Sequence, residues 1–297
     1  MKRVALLLVC ILLLSVLSFT ACNQGFSDTD YNKDNENQNG NVDIETHTPI
    51  DESSDTSSST TDAETSDDAN SEVPDNTDEK LSSTFTAQSI KTAEITEFRY
   101  WLYTPENPRD NMPLVVYLHG GSGKGDDLSL ITAVEGFPKF LKDGDLGELD
   151  AYVIIPQVPS SQKGWMQIKN SLKVLVEKTI DAYNIDKNKV TLTGHSMGGT
   201  GTWSIASKMT SLFTRIAPAS GSIEMTDTNL SVFANKEIWA FVGMEDTIVA
   251  PDTTIEFIEA LNSDKAKLTK FENADHFEVP ALTYKDEEVL KWLTFSE

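Results

Sequence analysis

Val190-Thr191-Leu192-Thr193-Gly194-His195-Ser196-Met197-Gly198-Gly199 decides how the rest of the chain is read. A β-branched, strand-compatible run ends in G-x-S-x-G and passes directly into residues that suit a helix. A turn this sharp holds a serine in a strained backbone conformation at the carboxyl edge of a sheet, with its hydroxyl exposed. Gly194 and Gly198 are expected to leave room there, because a Cβ at either position would strike the neighbouring strand or helix. The start of the following helix favours negative charge beside Ser196. Ser196 is therefore the candidate nucleophile, and the first N–H after it, on Met197, is a candidate donor to an oxyanion.

A serine hydroxyl is a poor nucleophile without a base, and the base needs an acid to orient it. Trp239-Ala240-Phe241-Val242-Gly243-Met244-Glu245-Asp246 ends a strand-like run in glycine and acid. Phe271-Glu272-Asn273-Ala274-Asp275-His276 follows the last strand-like run and leaves about 20 residues for a closing helix. The order Ser196, Asp246, His276 matches the chain order that a strand–elbow–helix hydrolase needs. Glu245, Asp252 and Asp275 compete with Asp246 for the acid's place. Upstream, Pro113-Leu114-Val115-Val116-Tyr117-Leu118 runs into His119-Gly120-Gly121-Ser122-Gly123. This glycine-rich turn is expected to supply the second oxyanion donor from Gly121, with Gly120 required by the turn and lining the site. His119 should brace that loop by hydrogen bonding, and His195 should pack beside the elbow.

The remaining pattern fits one α/β domain. Phe98, Tyr100 and Leu102 alternate with Arg99, Trp101 and Tyr103, as in an antiparallel strand over residues 96–103. Continuous apolar runs at 113–118, 151–155 and 190–193 suit strands covered on both faces. Further strands are expected at 215–217, 237–242 and 267–271. Leu172, Leu175, Val176, Ile180 and Tyr183, and then Ile255, Ile258 and Leu261, recur at helix spacing. Alternating strands and helices predict a mostly parallel sheet flanked by helices. Only about 16 residues, 221–236, join the strand after the elbow to the acid-bearing strand, too few for a large cap domain.

Composition divides the 297 residues into three parts. Lys2 and Arg3, the apolar run from Val4 to Phe19 and Thr20-Ala21-Cys22 have the layout of a signal segment over 1–21. Residues 22–88 carry about 17 acids against two lysines, which accounts for most of the formal charge of −23. With almost no aromatic residue, this stretch is expected to be a disordered, solvated spacer with a span of roughly 45 Å. Residues 89–297 form the expected catalytic domain. The chain has two cysteines, Cys10 and Cys22, both in or at the end of the signal, so the folded part has neither a disulfide nor a cysteine metal site. Four histidines are too few for a histidine-rich metal cluster. Nothing is basic and aromatic enough for nucleic-acid binding.

These stretches carry a resemblance. The signal resembles that of a bacterial lipoprotein, which would make Cys22 the lipidated first residue, anchored to the outer face of the cell membrane; an ordinary cleaved signal and an uncleaved N-terminal anchor, with Cys22 incidental, are the alternatives. Tyr100 to Pro105, Pro113 to Gly121, Pro156-Gln157 with Trp165, Gly194 to Trp203, Pro218 to Gly221 and Gly243 to Val249 resemble the α/β-hydrolase superfamily. Within it they are similar to the secreted bacterial feruloyl-esterase and polyhydroxybutyrate-depolymerase-like group, including a branch described as peptidases. One departure is Phe277-Glu278-Val279 after the histidine, where relatives often have tryptophan. The resemblance implies hydrolysis of carboxylic esters, small or polymer-linked, with no metal or organic cofactor. Trp165 is expected either to form a platform for a sugar or aryl group or to pack under the loop over 156–166. A serine peptidase and a non-catalytic surface-binding lipoprotein are the competing functions.

Overall fold

A computed structural model of the chain describes residues 83–134 and 136–296. Eight strands form one sheet: β1 (Thr84–Ile90), β2 (Phe98–Thr104), β3 (Leu114–Leu118), β4 (Tyr152–Pro156), β5 (Val190–His195), β6 (Arg215–Ala219), β7 (Glu237–Gly243) and β8 (Ala266–Phe271). Their order across the sheet is β1-β2-β4-β3-β5-β6-β7-β8. β1 pairs antiparallel with β2, and β2 with β4; every other pairing is parallel.

Alternation within the strands builds two apolar layers. Leu114, Val116 and Leu118 of β3 and Leu192 of β5 point to one face. There they meet α2 (Lys169–Ala182) through Leu172, Leu175 and Val176, and α3 (Met197–Lys208) through Trp203 and Ile205. Val115 and Tyr117 of β3 and Phe241 of β7 point to the other face. They pack on α1 (Phe137–Lys142), α6 (Val279–Tyr284) and α7 (Glu287–Leu293) through Phe137, Tyr284 and Leu293. With cover on both sides, β3 and β4 have no polar face, which is why they read as unbroken apolar runs, whereas in β5 the buried hydroxyls of Thr191 and Thr193 donate to the carbonyls of Leu293 and Ala217.

The connection from β6 to β7 holds only the short helix α4 (Asp227–Phe233). Its Phe233 is buried edge-on against Trp203 and against Phe257 of α5 (Asp252–Leu261), so the segment is tied down on the helical layer. The fold is thus an α/β-hydrolase sheet without a large cap domain among the described residues.

The folded part begins earlier than expected. β1 occupies residues that composition assigns to the spacer, so the boundary lies before Thr84 instead of at Ser89. β1 is an edge strand in which only Ile90 is buried, so Thr84, Thr86, Gln88 and Ser89 are tolerated there and resemble linker. The expected signal segment, Cys22 and most of the spacer lie outside the described residues.

Candidate active site

The elbow forms where β5 meets α3. Ser196 has φ 61° and ψ −121°, a conformation that side chains rarely adopt and that costs about 1–3 kcal/mol. Surrounding backbone contacts hold it there. The Ser196 N–H donates to the Ala219 carbonyl at 3.1 Å, and the Ser196 carbonyl accepts the first helical bond, from Thr200 N–H, at 3.0 Å. The glycines at either side are required by space. A Cβ on Gly194 would lie 2.5 Å from the Leu118 carbonyl oxygen, and one on Gly198 would overlap the same oxygen. The elbow is wedged against the end of β3, and that wedge presents the serine.

At the ends of β7 and β8 the chain delivers its partners. Asp246 and His276 are almost fully buried, 6% and 4% exposed, whereas Glu245, Asp252 and Asp275 are exposed. The His276 Nδ1 lies 2.7 Å from Asp246 Oδ2, and its Nε2 lies 2.9 Å from Ser196 Oγ. A carboxylate can only accept, so Nδ1 carries the ring hydrogen, and Nε2 keeps a lone pair facing the serine hydroxyl. Asp246 Oδ1 accepts N–H groups from Ile248 at 2.9 Å and Val249 at 2.8 Å. Burial alone would raise the Asp246 carboxyl, but its bonds from His276, Val249 and Ile248 and the nearby imidazole hold it below the usual carboxylate range. An acid that stays ionised and is fixed at both oxygens can only orient and polarise the imidazole.

The loop after β3 meets the elbow from the other side. A Cβ on Gly120 would lie 3.5 Å from Ser196 Cβ, so this glycine borders the nucleophile. Met197 opens α3 and Gly121 opens a 3-10 turn over Gly121–Gly123. N–H groups at such positions have no acceptor in their own helix. Gly120 itself corrects an expectation. Its φ of −73° and ψ of −177° are open to any residue, so the turn does not require glycine there. The position the loop does reserve is Gly123, where a Cβ would fall 2.7 Å from the His119 ring.

His119 is buried and held at both nitrogens. Nε2 accepts the Val158 N–H at 3.0 Å, so Nδ1 carries the hydrogen and donates to the Gly120 carbonyl at 2.6 Å. Burial lowers its pKa to about 4, although the Gly120 bond opposes the shift. His195 Nε2 donates to the His276 carbonyl at 2.9 Å, and the two rings sit 4.6 Å apart. Burial, then the neighbouring His276, lowers the His195 pKa to about 3. Both histidines are neutral structural parts, the first in the H-G-G loop and the second at the end of β5, where it braces the loop that carries His276.

Of the two roles expected for Trp165, the structure shows packing beneath the loop and not the substrate platform. Trp165 is 2% exposed, its Nε1–H donates to the His119 carbonyl at 3.2 Å, and its ring lies 4.9 Å from the His119 ring. It packs beneath the loop and cannot present a face to substrate, because α3 presses so closely there that a Cβ on Gly201 would strike it. Gln157 was legible only through resemblance. Its Nε2 donates to the carbonyls of Gly123 at 2.9 Å and Asp127 at 2.7 Å, tying the end of β4 to the H-G-G loop. Nothing local in sequence marks a glutamine whose partners lie 30 and 34 residues away. No group of three or more His, Cys, Asp or Glu side chains among the described residues is placed to hold a metal ion.

Comparison with known proteins agrees with this fold. No curated protein sequence matches the chain. A solved thermostable esterase is 25% identical over 70% of this chain with a TM-score of 0.59, the match spanning 62% of that esterase's length. The feruloyl esterase module of Clostridium thermocellum, solved with sinapinate, is similar in fold at 12% identity, with 73% of this chain and 90% of that one covered and a TM-score of 0.58. Fluorophosphonate-binding serine hydrolase F of Staphylococcus aureus is likewise similar in fold, at 14% identity, 71% and 98% coverage and a TM-score of 0.56. Residues 98–287 match the model of the dienelactone hydrolase family, and the chain belongs to that family of α/β-hydrolases.

Proposed function

We propose that the protein is a serine carboxylesterase that works through an acyl-enzyme. The observation that carries this reading is the continuous line of hydrogen bonds from Asp246 through His276 to Ser196 Oγ at the carboxyl edge of the sheet. In the reaction, Ser196 Oγ attacks the ester carbonyl carbon while its proton passes to His276 Nε2. Negative charge gathers on the former carbonyl oxygen and is met by the N–H groups of Met197 and Gly121. Collapse breaks the bond to the alcohol oxygen, which takes the proton from Nε2, and the acyl group stays on Ser196. Water then attacks the acyl carbon, gives its proton to His276, and the carboxylic acid leaves as Ser196 recovers its hydrogen.

The open sheet edge without a large cap favours acyl groups carried on a bulky substrate, such as an acylated polysaccharide outside the cell. The esterase and feruloyl-esterase neighbours support an ester substrate. An acidic spacer following a lipidated Cys22 would hold the domain clear of a membrane; metabolic labelling with a fatty acid, lost in Cys22→Ala, tests that anchor. Turnover of p-nitrophenyl acetate by the soluble domain, abolished in Ser196→Ala, tests the esterase reading. Acetylated xylan, methyl ferulate and short peptides should then be compared under the same conditions. Cleavage of peptides without any ester would make the protein a peptidase, and an absence of serine-dependent turnover would make it non-catalytic.

A further inference from the structure

Phe277 is the most exposed large hydrophobic side chain among the described residues, at 54%. Single exposed apolar residues are ordinary, so its significance lies in where it stands. It directly follows His276 and meets that imidazole edge-on, with ring centroids 5.5 Å apart and planes at 88°. Its backbone is fixed. Asp275 Oδ1 accepts the N–H of Phe277 at 2.8 Å and of Glu278 at 3.1 Å, while Glu278 Oε2 accepts the Asp275 N–H at 2.9 Å. α6 then starts at Val279, so the ring is carried by a rigid corner.

Reaction geometry says what can touch this ring. The imidazole must hand its proton to the leaving oxygen, which therefore comes within about 2.6–3.2 Å of His276 Nε2. The carbonyl oxygen turns the opposite way, toward the H-G-G loop. Groups flanking the histidine are consequently those attached to the leaving oxygen, the alcohol portion of the ester. Resting on the esterase reading above, we infer that Phe277 is a specificity-determining residue that receives the alcohol portion and favours a ring with a flat face of C–H bonds, as in the pyranose of an acylated sugar. The polarised C–H bonds of such a face meet the negative face of an aromatic ring favourably. Phe277 thereby takes the platform role for which the buried Trp165 is unsuited.

The test compares acetates that differ only in alcohol: ethyl acetate and a mono-acetylated methyl xyloside. Phe277→Ala and Phe277→Leu should each lower the ratio of kcat/KM for the sugar ester over ethyl acetate about tenfold, chiefly through KM, and Phe277→Trp should restore it. A ratio unchanged in both variants would overturn the proposal. Binding of methyl xyloside itself, titrated by NMR into the wild type and Phe277→Ala, separates the two claims. If no ester is hydrolysed, the esterase reading falls, yet weaker sugar binding by Phe277→Ala still supports the platform and equal binding rejects it.

Discussion

The carboxyl rim of the sheet and its antiparallel edge are held by different kinds of constraint. At the rim, backbone touches backbone: Gly194 and Gly198 lie against the Leu118 carbonyl, and Ser196 is locked at positive φ between β6 and α3. At the edge, β1 covers β2 with side chains that are exposed or half-buried apart from Ile90, and the large ring contact there among the described residues is Phe85 stacked on Trp101 at 4.8 Å. Side-chain cover yields gradually when trimmed, whereas interlocked backbone has nowhere to go. Substitutions should therefore be severe at the rim and mild at the edge.

The largest effect is expected inside the hydrogen-bonded line. Asp246→Asn should lower kcat about 10⁴-fold, because an amide in that place can turn the imidazole to the wrong tautomer while leaving the fold intact. His276→Ala should fall at least as far. Steady-state kinetics with p-nitrophenyl acetate, beside an unchanged far-ultraviolet circular dichroism spectrum, checks both. A loss of less than tenfold for either would mean that the line is not the catalytic apparatus.

Next come two alanines that contrast space with conformation. Gly198→Ala drives a methyl into the Leu118 carbonyl and should cost more than 4 kcal/mol, leaving little soluble protein. Gly120→Ala has ordinary backbone angles and ordinary contacts, so it should fold with a melting temperature within about 3 °C of wild type. Its methyl, 3.5 Å from Ser196 Cβ, should instead lower kcat/KM for the bulkier esters. Soluble yield and thermal melts distinguish the two.

The brace beneath the rim should be sensitive to acid. His119 and His195 have pKa values of about 4 and about 3 in the fold, against about 6.5 in an unfolded chain. The unfolded state therefore binds protons first, so the stability these rings contribute is complete above pH 6.5 and is lost as pH falls from 6.5 toward 4. The slope per ring approaches about 1.4 kcal/mol per pH unit. Urea midpoints at pH 7.5, 6 and 5 should show the decline, and His119→Gln should flatten it. His195→Phe breaks the bond to the His276 carbonyl, and a roughly tenfold fall in kcat with little change in KM should follow.

The same contrast explains what could be read from sequence. That Ser196, Asp246 and His276 come together was legible because chemistry fixes their order and backbone packing fixes the glycines around the serine. The seven strands from β2 to β8 were legible as apolar runs or alternations. β1 was not, since an edge strand exposing threonine and glutamine has the composition of the acidic spacer before it. Trp165 and Gln157 were undecided or silent for another reason. Whether a tryptophan faces solvent or a loop, and which carbonyls a glutamine ties together, depends on partners tens of residues away, and no local pattern records them.

The smallest effect belongs to the edge. Phe85→Ala removes one face of the Phe85–Trp101 stack but leaves the backbone pairing of β1 with β2 intact. Such pairs contribute about 0.5–1.5 kcal/mol beyond the area they cover. A loss of about 1–2 kcal/mol in urea unfolding is expected, with kcat/KM unchanged, because β2, β4 and β3 separate β1 from the strands that carry the hydrogen-bonded line from Asp246 to Ser196. A variant that lost activity while keeping its stability would show that the edge communicates with the rim after all. In that event the distinction between side-chain cover and interlocked backbone would not predict where this sheet tolerates change.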